Sequence, residues 1–433
     1  MEPRVSAAAA PSPAAEIERP APPAAAAPTA SLTAAGPRRF CLVWLAAVLA
    51  LIALIGAFDA LIDPYLVIGT PRIAGLNAVK PATETHTRLA KGHLLARLHP
   101  AGLLIGDSKV DLGLDPDSPS WPDDALPAFN YGMPGAGLGD QLANLRRAVA
   151  RGTVRRALIL LEPRDFMAPA PRAATPPEPA ALSDLQAFGE RASDILLATL
   201  SLDALRASLV TVAAQGKRDV ADLSPHGATG EGGFRAVIAA DGYDELFMQK
   251  DAYHRGQRAQ LIAAIRARPG AGLGQLDRVA EMIDLCRRHG IALDLAIAPA
   301  HADYLEGLDH AGLWPRYQAV KAAFVELAAE ADSDTVRLWD FSFYDAYATE
   351  KVPGPSDRGG STRWFWEPSH FKRALGEKIL ATIYRGADDY GVRLTPDMIA
   401  AHLARETAAK AAYQAQDTGS RERLARAAAE ASR

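Results

Sequence analysis

LLIGDSKVDLGLDP, residues 103–116, passes from an unbroken apolar run through a glycine into a polar Asp-Ser pair. A short apolar run without alternation is the pattern of a strand buried on both faces. The small Gly106 lets the chain turn sharply where that strand ends. Ser108 then stands at the carboxyl edge of the implied sheet, where open α/β folds bind their ligands. Taken by itself the stretch fits a turn residue or helix cap more readily than a nucleophile.

Apolar runs of the same kind recur at Ala128 to Tyr131, Ala157 to Leu161, Ile291 to Ile297 and Val336 to Trp339. Between them lie helical patterns: Leu138 to Ala150, then Leu276, Val279, Ile283 and Cys286 at helical steps, Trp314 to Ala329, and Phe371 to Tyr384. This alternation predicts a three-layer α/β domain with a parallel sheet over residues 63–395. The segment from about 169 to 272 breaks the rhythm and is too long for an ordinary crossover. It reads as a helical insertion over an edge or the mouth of the sheet, either shaping a site or idle. From Thr395-Pro396 a C-terminal helix follows over 396–433, its last stretch rich in charge and alanine and expected to fray.

The first 39 residues are dominated by Ala, Pro and small polar residues, too little apolar surface to offset the entropy of ordering, so a disordered tail is expected. FCLVWLAAVLALIALIGAF, residues 40–58, carries no charge and as a helix rises roughly 28 Å, enough to cross a bilayer. A transmembrane helix is therefore expected over 40–62. Arg38 and Arg39 precede the span while Asp59 and Asp63 follow it, which puts the tail in the cytoplasm and the domain outside, in a bacterium the periplasm. A cleaved signal peptide ending near Ile55-Gly56-Ala57 is the competing reading. The net charge of −4 excludes recognition of nucleic acid by bulk charge. Two cysteines, Cys41 and Cys286, supply no disulfide framework and no thiolate metal site.

Three further stretches bear on chemistry. FNYGMPGAGLGDQLANL, residues 129–145, sets three glycines between a strand and a helix, where exposed N–H groups favour an anion, or form a plain turn. TRWFWEPSHFKRALGEKIL, residues 362–380, places Glu367 three residues before His370 at the mouth of a predicted helix. A serine hydroxyl needs a base, and an imidazole serves best when a carboxylate fixes its tautomer; otherwise E-x-x-H is a solvated helix cap. LAIAPAHADYL, residues 295–305, brings His301 to the sheet edge as a substrate ligand or a helix cap. The histidines do not cluster at metal-ligand spacing, and no metal or other cofactor is expected.

In this order along the chain, Ser108 in GDS, Gly135 in MPGAG and Glu367-x-x-His370 resemble the SGNH (GDSL-like) hydrolase superfamily. The resemblance implies a flavodoxin-like parallel sheet, Ser108 as nucleophile, His370 as base, Glu367 as its acid, and the N–H groups of Ser108 and Gly135 in an oxyanion hole. Three features depart from the family pattern: Lys109 follows the serine, Glu367 replaces an Asp, and LLEPRDF (160–166) has Glu162, Pro163 and Arg164 where a G-x-N-D block would supply an Asn donor. Loss of that donor removes about 3 kcal/mol of transition-state stabilisation unless something replaces it. Asp107, Arg164 and His301 are candidate substrate contacts, and Asp165 and Asp340 are alternative acids for the histidine.

KPATETHTRLAKG (80–92), PAHADYL and WEPSHF look like a membrane-anchored bacterial branch, similar to periplasmic O-acetyltransferase-like proteins of exopolysaccharide modification. What this implies is an inner-membrane, single-pass acyl-transfer enzyme, an O-acetyltransferase or esterase. Its partners would be cell-envelope polysaccharide or another acyl ester and a membrane acyl-donor protein. The alternative is an anchored glycan-binding or assembly factor with a degenerate site. Trp364 and Trp366 suit sugar stacking or core packing alike.

Overall fold

The computed structural model describes residues 35–169, 184–217, 220–331, 333–357, 359–416 and 419–430. The expected disordered tail lies, up to residue 34, outside them; residues 35–39, expected to belong to it, already form the start of the first helix. Helix α1 (Ala35–Ile62) is long and apolar enough to cross a membrane. The described chain divides into two units, with the boundary between Ala53 and Leu54.

Beyond the end of α1, the second unit continues with α2 (Thr87–Leu98) and then alternates as anticipated: β1 (Gly102–Ile105), α3 (Ser108–Gly113), β2 (Ala128–Asn130), α4 (Leu138–Val149), β3 (Arg156–Leu161) and the short α5 (Arg164–Met167). The insertion supplies α6 (Asp184–Leu200), α7 (Leu202–Ala214), α8 (Gly232–Asp241) and α9 (Tyr243–Ala267). Alternation resumes with α10 (Leu276–Arg288), β4 (Ala292–Ile297), α11 (Ala302–His310), α12 (Trp314–Glu330) and β5 (Val336–Asp340). A small hairpin, β6 (Phe365–Glu367) and β7 (His370–Phe371), leads into α13 (Arg373–Arg385), then β8 (Val392–Leu394), α14 (Ile399–Gln416) and α15 (Gly419–Glu430).

The main sheet has the order β2-β1-β3-β4-β5-β8, parallel from β2 to β5, with β8 antiparallel at the edge. The two-residue period of each strand divides the core. Leu103, Ile105, Ile159 and Leu295 join α4, α10 and α12 on one face, while Leu104, Leu158, Leu160 and Ala296 meet α13 on the other. In the order 2-1-3-4-5 the connections leave β1 and β3 in opposite directions, which opens a crevice at their carboxyl ends. Ser108 follows β1 and Arg164 follows β3.

The C-terminal end departs from expectation. Instead of fraying, α15 packs on α9 and α11. Arg423 Nε donates to Asp303 Oδ2 at 2.8 Å, and Arg426 Nη2 to Asp244 Oδ1 at 2.7 Å. The charges that suggested a solvated tail are the residues that dock it.

Candidate active site

Ser108 opens α3 directly after the loop leaving β1, and Asp107 caps that helix by accepting the Lys109 N–H at 2.8 Å. Gly106 is required by close packing: a Cβ there would stand 2.3 Å from Val110 Cγ2. The Ser108 Oγ lies 2.8 Å from His370 Nε2.

His370 and Glu367 do not sit at a helix mouth. They face each other across the Pro368-Ser369 turn of the β6–β7 hairpin, and α13 begins only at Arg373. Glu350 holds β6 in place, its carboxylate accepting the N–H of Arg363, Trp364 and Phe365 at 2.7–2.9 Å. Glu367 is fully buried and its Oε1 is hydrogen-bonded to His370 Nδ1. Ser369 secures the same carboxylate through its N–H (3.0 Å to Oε2) and hydroxyl (2.9 Å to Oε1). Burial alone raises a carboxyl, but His370 and His254 outweigh it and hold Glu367 well below the ordinary carboxylate range. The carboxylate is therefore ionised wherever the imidazole works as a base.

His254 carries no signal in the sequence. It comes from α9 of the insertion, buried, with Nε2 3.8 Å from Glu367 Oε2. Tyr253 and Gln257 of the same helix line a cavity of about 240 Å³ together with Ser108, Gly135, Arg164 and His370. The insertion thus forms one wall of the site.

Gly135 has φ +72°, a conformation that glycine adopts without strain, and lies exposed on the rim. Its N–H and that of Ser108, in the first turn of α3, have no partner among the described residues. Met133 N–H donates to Gly106 O at 3.1 Å and so ties this glycine loop to the loop carrying the serine.

Two departures from the family pattern turn out to be one feature. Lys109, beside the serine, reaches Glu162, in the block after β3, and Asp107 Oδ2 lies 3.4 Å from the same Nζ. Burial opposes the Lys109 charge, but the two carboxylates override it and raise its pKa above the ordinary lysine range. Asp107 is correspondingly held low against its own burial, by Lys109 and then His370. Arg164, where a neutral donor would be expected, remains on the cavity wall, hydrogen-bonded to Gln257 and 3.6 Å from Asp165. Burial and then the charge of Glu162 raise Asp165 to about 6.

The remaining candidates lie elsewhere. His301 is buried and spent on structure: its Nδ1 accepts the Asp303 N–H at 3.1 Å, its Nε2 lies 2.9 Å from Glu350 O, and its own N–H donates to Pro368 O at 3.0 Å. It braces the hairpin turn and has no open face for a substrate. Asp340 is committed to Lys321 and His402 at 2.7 and 2.8 Å. Trp366 is buried and stacked on Phe234, and Trp364 packs on Tyr347, so neither offers a sugar platform in this cavity.

A serine hydroxyl, an imidazole and a buried carboxylate in hydrogen-bonded series, beside two free N–H groups, form an arrangement able to activate an oxygen nucleophile. Neither protein-family models nor curated proteins give a match to this chain.

Proposed function

We propose that the protein is a membrane-anchored serine acyl-transfer enzyme of the SGNH type. Its domain would sit on the periplasmic side of the inner membrane and act on acyl esters of cell-envelope carbohydrate, with the acyl group supplied by a membrane donor protein. The observation that carries the reading is the unbroken series Ser108 Oγ, His370 Nε2, His370 Nδ1, Glu367 Oε1 on the wall of a cavity.

In this mechanism His370 takes the Ser108 proton as Oγ attacks the acyl carbonyl, and Glu367 stabilises the imidazolium that forms. The oxyanion is met by the N–H groups of Ser108 and Gly135. The fixed charge of Arg164 supplies the third contact in place of the missing Asn. His370 then protonates the leaving oxygen, leaving an acyl-serine. An acceptor hydroxyl, from a sugar in transfer or from water in hydrolysis, gives its proton to His370 and takes the acyl group, which restores Ser108.

The test uses the full chain in detergent with p-nitrophenyl acetate. A burst of p-nitrophenol equal to the enzyme present, absent in Ser108→Ala, is the expected result. A burst that survives the substitution, or none in the unaltered protein, contradicts the proposal. Added oligosaccharide that diverts acetate from water into sugar ester marks a transferase.

A further inference from the structure

The insertion carries a feature that the cavity does not use. The last turn of α6 and most of α7 present Leu196, Leu197, Leu200, Leu202, Leu209 and Val210 to the outside, with Leu197 61% and Leu202 86% exposed. Taken together Gly189–Leu200 and Leu202–Ala214 are apolar enough for a membrane segment, but they bend by 60° at Ser201. In a helix pair of a water-soluble surface these leucines would face the core.

Their position identifies what covers them. The elbow lies against the last turns of α1: a Cβ on Gly56 would stand 3.0 Å from Leu200 Cδ2 and 3.6 Å from Thr199 O. Gly56 precedes the end of α1 at Ile62 by roughly 9 Å of helix rise, so the elbow packs beside the last turns of that helix. The end of α1 is also tied to the segment that follows it. Lys80 Nζ caps α1 by donating to Ile62 O and Asp63 O at 2.5 and 2.9 Å, and Asn77 Nδ2 donates to Leu61 O at 2.9 Å. The Asp63 carboxylate accepts the N–H groups of Ile68, Gly69 and Thr70 at 2.8–3.2 Å.

We infer that the α6–α7 elbow is a second membrane contact, its leucines seated among lipid acyl chains of the leaflet on the domain's side. Arg206, exposed on α7 between Leu202 and Leu209 on the same face, lays its long stem along that surface and carries its charge out to the headgroups. The inference rests on α1 being a membrane span, the anchoring part of the proposed function, and is independent of the chemistry at Ser108.

The full chain, with Cys41→Ser and Cys286→Ala, is reconstituted in vesicles of phosphatidylethanolamine and phosphatidylglycerol. A polarity-sensitive fluorophore is placed at Leu197→Cys, Leu49→Cys or Arg288→Cys. Lipids brominated on the acyl chain should remove most of the emission at 197 and at 49 and little at 288, and aqueous iodide should do the reverse. A probe at 197 quenched by iodide while that at 49 is quenched by lipid overturns the elbow contact alone. Protection of 197 from both quenchers means that protein covers it, a partner or a second copy, and also overturns the inference. Iodide quenching at 49 removes the span itself and the elbow contact with it.

Discussion

Two histidine–carboxylate pairs at the carboxyl side of the sheet, His370–Glu367 and His402–Asp340, make an instructive contrast, because the first opens on a cavity and the second is closed. His402 Nε2 meets Asp340 Oδ2 at 2.8 Å, but Lys321 also lies on that carboxylate, at 2.7 Å, and on Glu406, at 2.6 Å. Lys321 and Asp340 are wholly buried. Burial opposes the Lys321 charge, and the two acids overcome it and raise the lysine, while Asp340 is held low by Lys321 and His402 despite its burial. At the other pair, Glu367 is just as buried, yet His370 is partly exposed and turns its second nitrogen to a serine hydroxyl on a cavity wall. An acid beside a histidine is common to both; what distinguishes a reactive pair is an imidazole nitrogen left for a substrate-facing group.

The largest expected break in this comparison is Ser108→Ala, which removes the acyl acceptor and should lower turnover by up to roughly 10⁶-fold with an unchanged melting temperature. At the closed pair, Lys321→Met strands two buried acids and should cost about 3–5 kcal/mol of stability by denaturant unfolding, with kcat per folded molecule retained. Glu367→Gln keeps the shape of the hairpin but loses the charge opposite the imidazolium. Its kcat should fall roughly 10²- to 10⁴-fold, and an unaltered kcat would hand the orienting role to another carboxylate.

The smallest effect concerns pH. Asp165 is raised from 3.8 to about 6, so the fold favours its protonated form. Its contribution to stability is fully present below about 4 and is lost as pH rises through about 6. With the side chain a quarter exposed, the loss is on the order of 1–2 kcal/mol. Asp165→Asn should flatten the fall in stability between pH 4 and 7 in urea titrations. A fall identical to that of the parent would show that the carboxyl is not perturbed.

The five parallel strands of the main sheet were legible because each is a short apolar run, and Ser108 was legible because it ends one of them; the antiparallel β8, three residues with an arginine at its centre, was not. The geometry of Glu367 and His370 was not, because β6 and β7 have three and two residues, too few for any periodicity, so the pair read as the start of the helix that begins at Arg373. Lys109 and Glu162 each showed as a departure from pattern; only the parallel pairing of β1 with β3 makes them one ion pair. His254 gave no sign, since its contact with Glu367 depends on how α9 packs on the hairpin. His301, read as a substrate ligand or a helix cap, is the cap of α11, and its second nitrogen is taken by Glu350 O, so no nitrogen is left for a substrate.

The central claim, that Ser108 is the activated nucleophile of an open triad, is tested most directly by a fluorophosphonate probe followed by peptide mapping. A single adduct is expected, on Ser108, its rate of formation falling sharply in Glu367→Gln and in His370→Ala while the circular dichroism spectrum stays the same. An adduct at another serine, no adduct at all, or a rate indifferent to Glu367 and His370 would contradict it.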